Sequence, residues 1–477
     1  MAPKSPELLG MVLCILRQMA GWTQGRLERK AGLGQGAVSR LEHGKNLDRR
    51  LLDRLAAILG HPPYRVEGMI ARLEPYFEPE ESIGSPAGLT FRHEQILDLL
   101  GRNVARGATA RYFRKRLWQV ERAAATAAWQ RLRRTPEGGR SSLVEAVSDY
   151  HTWAVVERLC EESAKAASHD VEDTAKLAAL ARTAAAHTPG AVEYQIWLAG
   201  YAGAFEGNAH HVAGDLLLAR KVFAEAEAQL QAGVPVESMD RSRPIQLYGR
   251  LLTFRGELDA ALLKMGQALA LARTALQETR ILVDRAAVLK RKFQFREALD
   301  VLAQARLSSK GTSDRRLSLV ITFNEVSYLW EAGNTEEAAS RLGVLQTEVH
   351  QLGRALDEVR FRWLTARVAT SQGRWVEASS LFHEVWKAMA DRRIWFEAAL
   401  AVLELAEVEL DRGKTREVKG LATASAHVFS AQALPTELLA SIQLFWQAAR
   451  QEAASAEDAR ELARRMRRSG GGDAEAA

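Results

Sequence analysis

The sequence predicts an all-α protein, a small N-terminal helical bundle followed by an α-solenoid of repeated helix pairs, and three observations predict it. Alanine, leucine, arginine and glutamate dominate while proline (12) and aromatic residues (7%) are scarce, which favours helices over sheets. Apolar residues recur at three- and four-residue spacing. A Gly-x4-Ala pattern returns about every 40 residues in the second half. The 477 residues suffice for about three domains at roughly 150 each. With 47% hydrophobic and 26% charged residues, the chain has a soluble globular composition, neither disordered, collagen-like nor membrane-embedded. Its two cysteines, Cys14 and Cys160, each stand alone in an apolar helical pattern. They exclude a disulfide framework and CxxC metal or iron–sulfur sites, and both read as small core residues. The start, MAPKSPELLGMVLCIL, lacks a signal-peptide cleavage site, and no run of about 20 apolar residues occurs, so a cytoplasmic location is expected.

The first helix is predicted over residues 6 to 20, where Leu8, Leu9, Val12, Leu13, Ile15, Leu16 and Met19 form one stripe and Gly21 ends it. Thr23 sits where an N-cap belongs and starts a short helix through Gln24, Leu27 and Lys30, which Gly32 stops. After the AGLG turn a third helix, Gln35 to Glu42, turns Val38 and Leu41 inward and leaves Gln35, Gly36, Ser39 and Arg40 outward. His43 and Gly44 close it, and a further helix from Leu47 to Leu59 seals the bundle before Gly60, Pro62 and Pro63. Two short helices joined by a glycine turn make a helix-turn-helix unit, whose second helix enters the major groove of DNA.

The run LRQMAGWTQGRLERKAGLGQGAVSRLEHGKN resembles the Cro/C1-repressor type of helix-turn-helix, the XRE family, over about Leu8 to Tyr64. That resemblance implies that Gln24 clamps a phosphate, that the outward positions Gln35, Gly36, Ser39 and Arg40 face base edges, and that Lys45 and Asn46 hold the backbone. It also implies a buried Arg17–Glu42 pair tying the first helix to the recognition helix. Elementary chemistry agrees. Gln pairs bidentately with adenine and Arg with guanine, each worth about 1–3 kcal/mol of discrimination, and lysine neutralises phosphate. The chain departs from the pattern at Gly34, where a Ser or Thr cap is usual, and at Gly36, where a polar reader is common. Weak capping and weak or shape-led specificity are the expected results. The competing reading is a bundle kept for folding or dimerisation.

Residues 74–90 (EPYFEPEESIGSPAGL and the following Thr90) are rich in Pro, Gly, Ser and acid and read as a linker after a 1–73 head. Residues 91–135 read as a basic helical connector: between Arg102 and Arg134 ten Lys or Arg face one acid, Glu121, a local net of +9 against +6 for the whole chain. Such a concentration is either a footprint for nucleic acid or a solvated helix face. Tyr112, Phe113, Trp118 and Trp129 interleave with the arginines. With Leu117, Val120 and the alanines they form one apolar face, so core packing is preferred to base stacking.

Residues 140–468 carry the repeats: GDLLLA (214–219), GELDAA (256–261), GNTEEA (333–338) and GRWVEA (373–378), a weaker FQFREA (293–298) and a degenerate GKTREV (413–418). The glycine supplies a permissive turn and the alanine a close helix approach. The pattern resembles tetratricopeptide repeats with longer units, which implies a solenoid whose concave face is lined by the first helix of each pair. On that register Arg243, Arg250, Arg280, Lys290, Asn324, Arg360, Trp363 and Arg367 point to a candidate ligand groove suited to an acidic peptide or protein segment. The tail, 469–477, reads as flexible.

No GxxxxGK[ST], GxSxG or HExxH occurs, and adjacent His210 and His211 near Glu206 point about 100° apart on a helix, so no catalytic or metal site and no cofactor is expected. The expected function is a transcriptional regulator that binds double-stranded DNA through the head, senses a peptide or protein with the repeats, and works as a homodimer away from membranes. The alternative is an interaction adaptor whose head dimerises or grips DNA without sequence choice.

Overall fold

The structure is a computed structural model and describes residues 6–74, 108–167, 170–312, 314–392, 394–424 and 436–469. The expected linker beyond Glu74, the connector up to residue 107 and the tail from residue 470 lie outside the described residues. Among the described residues every regular element is helical, twenty-three α-helices and one 3-10 turn, as the composition predicts. The chain divides into two compact units, residues 1–209 with 224–239, and residues 210–223 with 240–477.

In the first unit, α1 (Pro6–Met19), α2 (Gln24–Ala31), α3 (Ala37–Glu42), α4 (Arg49–Ile58) and α5 (Pro63–Leu73) form the head. The predicted stripe is its core: Leu8, Leu9, Val12, Leu13, Ile15 and Leu16 are buried with Leu27, Val38, Leu41, Leu52, Leu55 and Ile70. Thr23 caps α2, accepting from Arg26 N at 3.2 Å, and Gly32 ends it in the left-handed conformation at φ 67°. Asp48 caps α4 through Leu51 N at 2.7 Å. Gly10 allows α1 to lie against the end of α3, since a Cβ there would stand 2.7 Å from the Leu41 and Glu42 carbonyl oxygens.

The long α6 (Ala108–Arg134) carries the basic segment. Its Val120 and Ala124 complete the head's core, while the lone acid of the segment, Glu121, is buried and accepts from Trp153 Nε1 at 2.8 Å. Arg122 makes a bidentate pair with buried Glu157 (2.6 and 3.0 Å), donates to the Ser238 carbonyl, and stacks over Trp153. Of the interleaved aromatics, Trp129 is buried and Trp118 half-buried, in line with the core reading. The side chains of Tyr112 and Phe113 lie outside the described residues. Helices α7 (Glu137–Ala146), α8 (Trp153–Ala166), α9 (Val171–His187), α10 (Val192–Val212) and α11 (Leu216–Ala232) follow. Here Gly200 permits close approach of α10 and α11, because a Cβ would meet the Ala226 carbonyl at 2.9 Å.

The second unit is a stack of helix pairs: α12 (Ser242–Phe254) with α13 (Leu258–Leu271), α14 (Ala275–Arg291) with α15 (Phe295–Ser309), α16 (Arg315–Glu331) with α17 (Thr335–Leu352), and α18 (Ala355–Ser371) with α19 (Trp375–Asp391). Last come α20 (Trp395–Asp411), α21 (Thr415–Ala424), α22 (Thr436–Arg450) and α23 (Ala456–Ser469). Neighbouring pairs share side chains, Leu262 and Leu269 between the first two and Leu299 between the next two, so one apolar core runs along the stack.

The Gly-x4-Ala pattern has a uniform geometry. Gly214, Gly256, Gly333, Gly373 and Gly413 take φ between 71° and 85°. Each donates to the carbonyl three residues earlier while the next residue reaches back five, as in Glu257 N to Leu252 O at 2.9 Å and Asn334 N to Leu329 O at 2.9 Å, which closes the first helix with a left-handed cap. Ala219, Ala261, Ala298, Ala338 and Ala378 are fully buried in the helix that follows. The weaker copy makes the same turn without glycine. Phe293 takes φ 61°, with Phe293 N to Lys290 O at 2.9 Å and Gln294 N to Leu289 O at 3.0 Å, and its ring is exposed. A left-handed L-residue costs about 1–2 kcal/mol, partly offset by the entropy that glycine loses on folding. Phe293→Gly is therefore expected to stabilise the chain by roughly 0.5–1 kcal/mol in urea denaturation, whereas Phe293→Ala gives no such gain.

Candidate nucleic-acid interface and ligand groove

The recognition helix is shorter than the sequence predicts. It spans Ala37–Glu42, and Gln35 and Gly36 lie in the preceding turn, because Gly36 adopts the left-handed conformation (φ 72°) and has no side chain to cap the helix. The cap comes instead from another helix: buried Glu28 of α2 accepts from Val38 N at 3.1 Å. A carboxylate at a helix N-terminus satisfies an orphan N–H and meets the positive end of the helix dipole. Sequence reasoning did not find Glu28, which looks like any other charge of α2.

The opposite end of α3 is anchored by the expected pair. Arg17 donates through Nε and Nη2 to the two Glu42 carboxylate oxygens (2.5 and 3.1 Å) and through Nη1 to the Trp22 carbonyl at 2.7 Å, closing the turn between α1 and α2. Burial opposes the charge of Arg17, yet the bonds and field of Glu42 outweigh it and hold the guanidinium pKa above its ordinary value. Gln24 also donates to Glu42, Nε2 to Oε2 at 2.7 Å, so one of its two amide hydrogens is engaged within the protein.

Between these anchors Gln35, Arg40, Lys45 and Asn46 are exposed and Ser39 and Gly36 half-buried. His43 Nδ1 sits 2.6 Å from the Ser39 carbonyl, and Asn46 takes a left-handed φ of 59° in the turn after α3. The surface thus presents one guanidinium, two amides from the flanking turns and one ammonium.

In the second unit the expected groove residues separate into two sets. Lys290 and Trp363 are buried, which corrects the expectation that they point to an open groove, while Arg367 pairs with an acid at the wall of a cavity. Lys290 is buried against Glu331 at 3.1 Å. Buried Glu404 accepts from Trp363 Nε1 at 2.6 Å, from Arg367 Nε at 3.1 Å and from Arg467 Nη1 at 2.5 Å. Desolvation works against the charge of Glu404, but the two guanidinium groups prevail and keep its carboxyl below the usual range. Arg367 and Arg467 also stack on Trp330, and with Arg460 these residues line a cavity of about 210 Å³. The sequence offered no signal for Glu404, whose partners lie 37 to 63 residues away.

The other set comprises Asn324, Arg243, Arg250, Arg280 and Arg360. Asn324 is fully buried on α16, and neither its amide nitrogen nor its amide oxygen has a hydrogen-bond partner. Arg243, Arg250, Arg280 and Arg360 are half-buried on the first helices α12, α14 and α18. Beside Arg250, His211 has a buried Nδ1 without a partner and packs edge-on against Phe254. Burial, and then the charge of Arg250, push its pKa down to about 4. Among the described residues no group of three or more His, Cys, Asp or Glu is placed to hold a metal ion, and no helix is long and apolar enough to cross a membrane.

A left-handed-capped helix pair behind a short exposed helix, joined in one chain to stacked helix pairs, defines a helix-turn-helix protein with tetratricopeptide-like repeats. Residues 8–67 match the family model described as a helix-turn-helix domain. The repeat architecture is similar to a Rap protein solved in complex with competence and sporulation factor, at 13% identity and a TM-score of 0.51, covering 66% of this chain and 88% of that one. The apo form of RapI is matched at 14% identity and a TM-score of 0.39, over 56% of this chain and 99% of that one. No curated protein sequence matches the chain.

Two outcomes test the site's construction. Glu42→Ala strands a buried guanidinium and is expected to cost about 3–5 kcal/mol in urea denaturation, while a paired Arg17→Met, Glu42→Leu variant loses much less. His211 binds its proton more weakly folded than unfolded, so between pH 6.5 and about 4 the unfolded chain holds more protons. Stability should therefore be full above pH 6.5 and fall by up to about 3 kcal/mol on acidification to pH 4. His211→Leu should flatten that part of a stability-against-pH profile.

Proposed function

We propose that the chain is a DNA-binding transcriptional regulator. Its head reads double-stranded DNA through Gln24, Gln35, Gly36, Ser39, Arg40, Lys45 and Asn46, and its repeats sense a peptide or protein partner. The observation that carries the reading is the mounting of α3. A short helix is fixed at one end by Glu28 and at the other by Arg17–Glu42, with Arg40 and Lys45 left outward and exposed. A rigid mount with outward donors is what groove insertion needs, since phosphate contacts set register and base-edge contacts select sequence. In this reading Gly36 brings the backbone close to the DNA, and Gln35 reaches it from the turn rather than from the helix.

For the repeats, support comes from Asn324, whose buried amide has no partner inside the protein, and from half-buried arginines on the first helices. The Rap protein of similar fold was solved with competence and sporulation factor, which supports a ligand-sensing role by analogy of fold alone. A homodimer would place two recognition helices about 34 Å apart on a pseudo-palindromic site. The ligand would act by binding one arrangement of the dimer better than another. A cytoplasmic, non-enzymatic role completes the reading.

Selection of oligonucleotides from a random pool by the full-length protein tests it. A selected site should bind about 10³-fold or more tightly than random duplex at physiological salt. A steep salt dependence with no such ratio would favour the adaptor instead. On the selected site Arg40→Ala should cost about 1–3 kcal/mol and relax one base position, while Lys45→Ala should weaken all duplexes alike. Equal losses on every sequence for both variants would remove the direct-readout assignment.

A further inference from the structure

Arg243 and Arg250 stand two turns apart on one face of α12, with Gln246 between them. Gln246 Nε2 donates to Asp284 Oδ2 on α14 at 2.7 Å, which fixes the register of the two helices. Arg280 lies one turn before Asp284, as Arg243 lies one turn before Gln246. The two helices run in the same direction as first members of successive pairs, so these guanidinium groups are brought side by side. Arg250 acts on both Arg243 and His211, whose ring is held neutral by its surroundings.

The charges of this cluster are poorly answered. Arg243 donates to the neutral Gln246 Oε1 at 2.9 Å rather than to an acid. Neither Arg250 nor Arg280 forms an ion pair among the described residues, and the Arg280 Nε–H is buried with no acceptor. Asp284 and Asp240 are the acids that act on Arg243; Asp284 is engaged by Gln246, and Asp240 accepts from Ser242. Burial, followed by repulsion from Arg280 and Arg250, lowers the Arg243 pKa to about 10. Elsewhere in this unit buried charge is met by charge, as at Arg316–Asp357, Arg306–Glu325 and Arg367–Glu404. An isolated cluster of like charges with unused donors is complementary to an anion, and the guanidinium fork matches the paired oxygens of carboxylate or phosphate.

We propose that Arg243, Arg250 and Arg280 form an oxyanion subsite of the ligand groove that selects a peptide bearing acidic groups. The proposal deepens the ligand-sensing reading above and rests on it. The oxyanion is a carboxylate or a phosphate carried by that peptide, and Lys290 and Arg367 take no part because their charges are already met by Glu331 and Glu404.

The test begins with small anions on the full chain. Citrate or inorganic phosphate, against sodium chloride at matched ionic strength, should raise the thermal midpoint of the wild type by roughly 3 °C once the anion exceeds its Kd about tenfold. The shift should vanish in Arg250→Gln and in Arg280→Gln and persist in Arg296→Gln, a charge loss at an exposed position of α15. A larger response to citrate assigns carboxylate, and a larger response to phosphate assigns phosphate. No shift in the wild type, or the same shift in all three variants, overturns the proposal. The second arm uses fluorescent peptide pools, one rich in Asp and Glu and one neutral. Binding of the acidic pool that Arg280→Gln weakens tenfold or more supports the subsite. Equal binding of both pools, indifferent to Arg280→Gln, overturns the subsite and leaves peptide sensing standing. Failure of both pools with the citrate shift intact overturns the peptide assignment.

Discussion

A charge removed from water has to be met by a donor or a partner charge, and in this chain the partner comes again and again from a different helix. Glu28 of α2 is met by the backbone of α3, Arg17 of α1 by Glu42 of α3, Glu121 and Glu157 by groups across the α6–α8 contact, and Glu404 of α20 by α18 and α23. Apolar packing supplies most of the stabilisation in such bundles, but it is non-directional and tolerates sliding. A bidentate pair does not. The buried acids therefore fix the register in which helices of similar shape and composition are stacked.

The same constraint explains why some polar residues of the second unit are structural and others remain open for use. Successive first helices place equivalent positions about 40 residues apart. Gln246 reaches Asp284, and Trp363 reaches Glu404, each bond spanning adjacent pairs. Asn324 falls between these two bonds in the same row and makes neither. The row is thus closed at both ends and open in the middle, and the arginines of α12 and α14 lie beside its first member.

Much of the fold could be read from the residues, for physical reasons that are local. Thr23, Gly32 and the glycines from Gly214 to Gly413 act within one turn of backbone, so the residue type alone announces the cap or the turn. The buried alanines five residues on follow from the same local geometry. What escaped notice depends on contacts distant in sequence. The sequence predicts the start of α3 two residues early because a glycine-rich turn and a glycine-rich first turn look alike, and the cap that decides between them arrives from Glu28, ten residues upstream. Lys290, Trp363 and Arg367 lie on the predicted first helices, but periodicity cannot tell a side chain that faces an open groove from one that meets an acid of the next pair. In the head the resemblance to the Cro/C1 type implies Arg17–Glu42, while the sharing of Glu42 with Gln24 is visible only in the folded chain.

Borrowing its cap from α2 has one more consequence for α3. Six residues are too few to hold a helix in water unaided, and Gly36 offers nothing to start one. This exposed helix therefore exists only after its neighbours have assembled, so folding of the head and formation of its outward surface are a single event. A nascent or damaged chain that has lost the first helices cannot present Arg40 from a partly formed α3, so the exposed surface of the head is made whole or not at all.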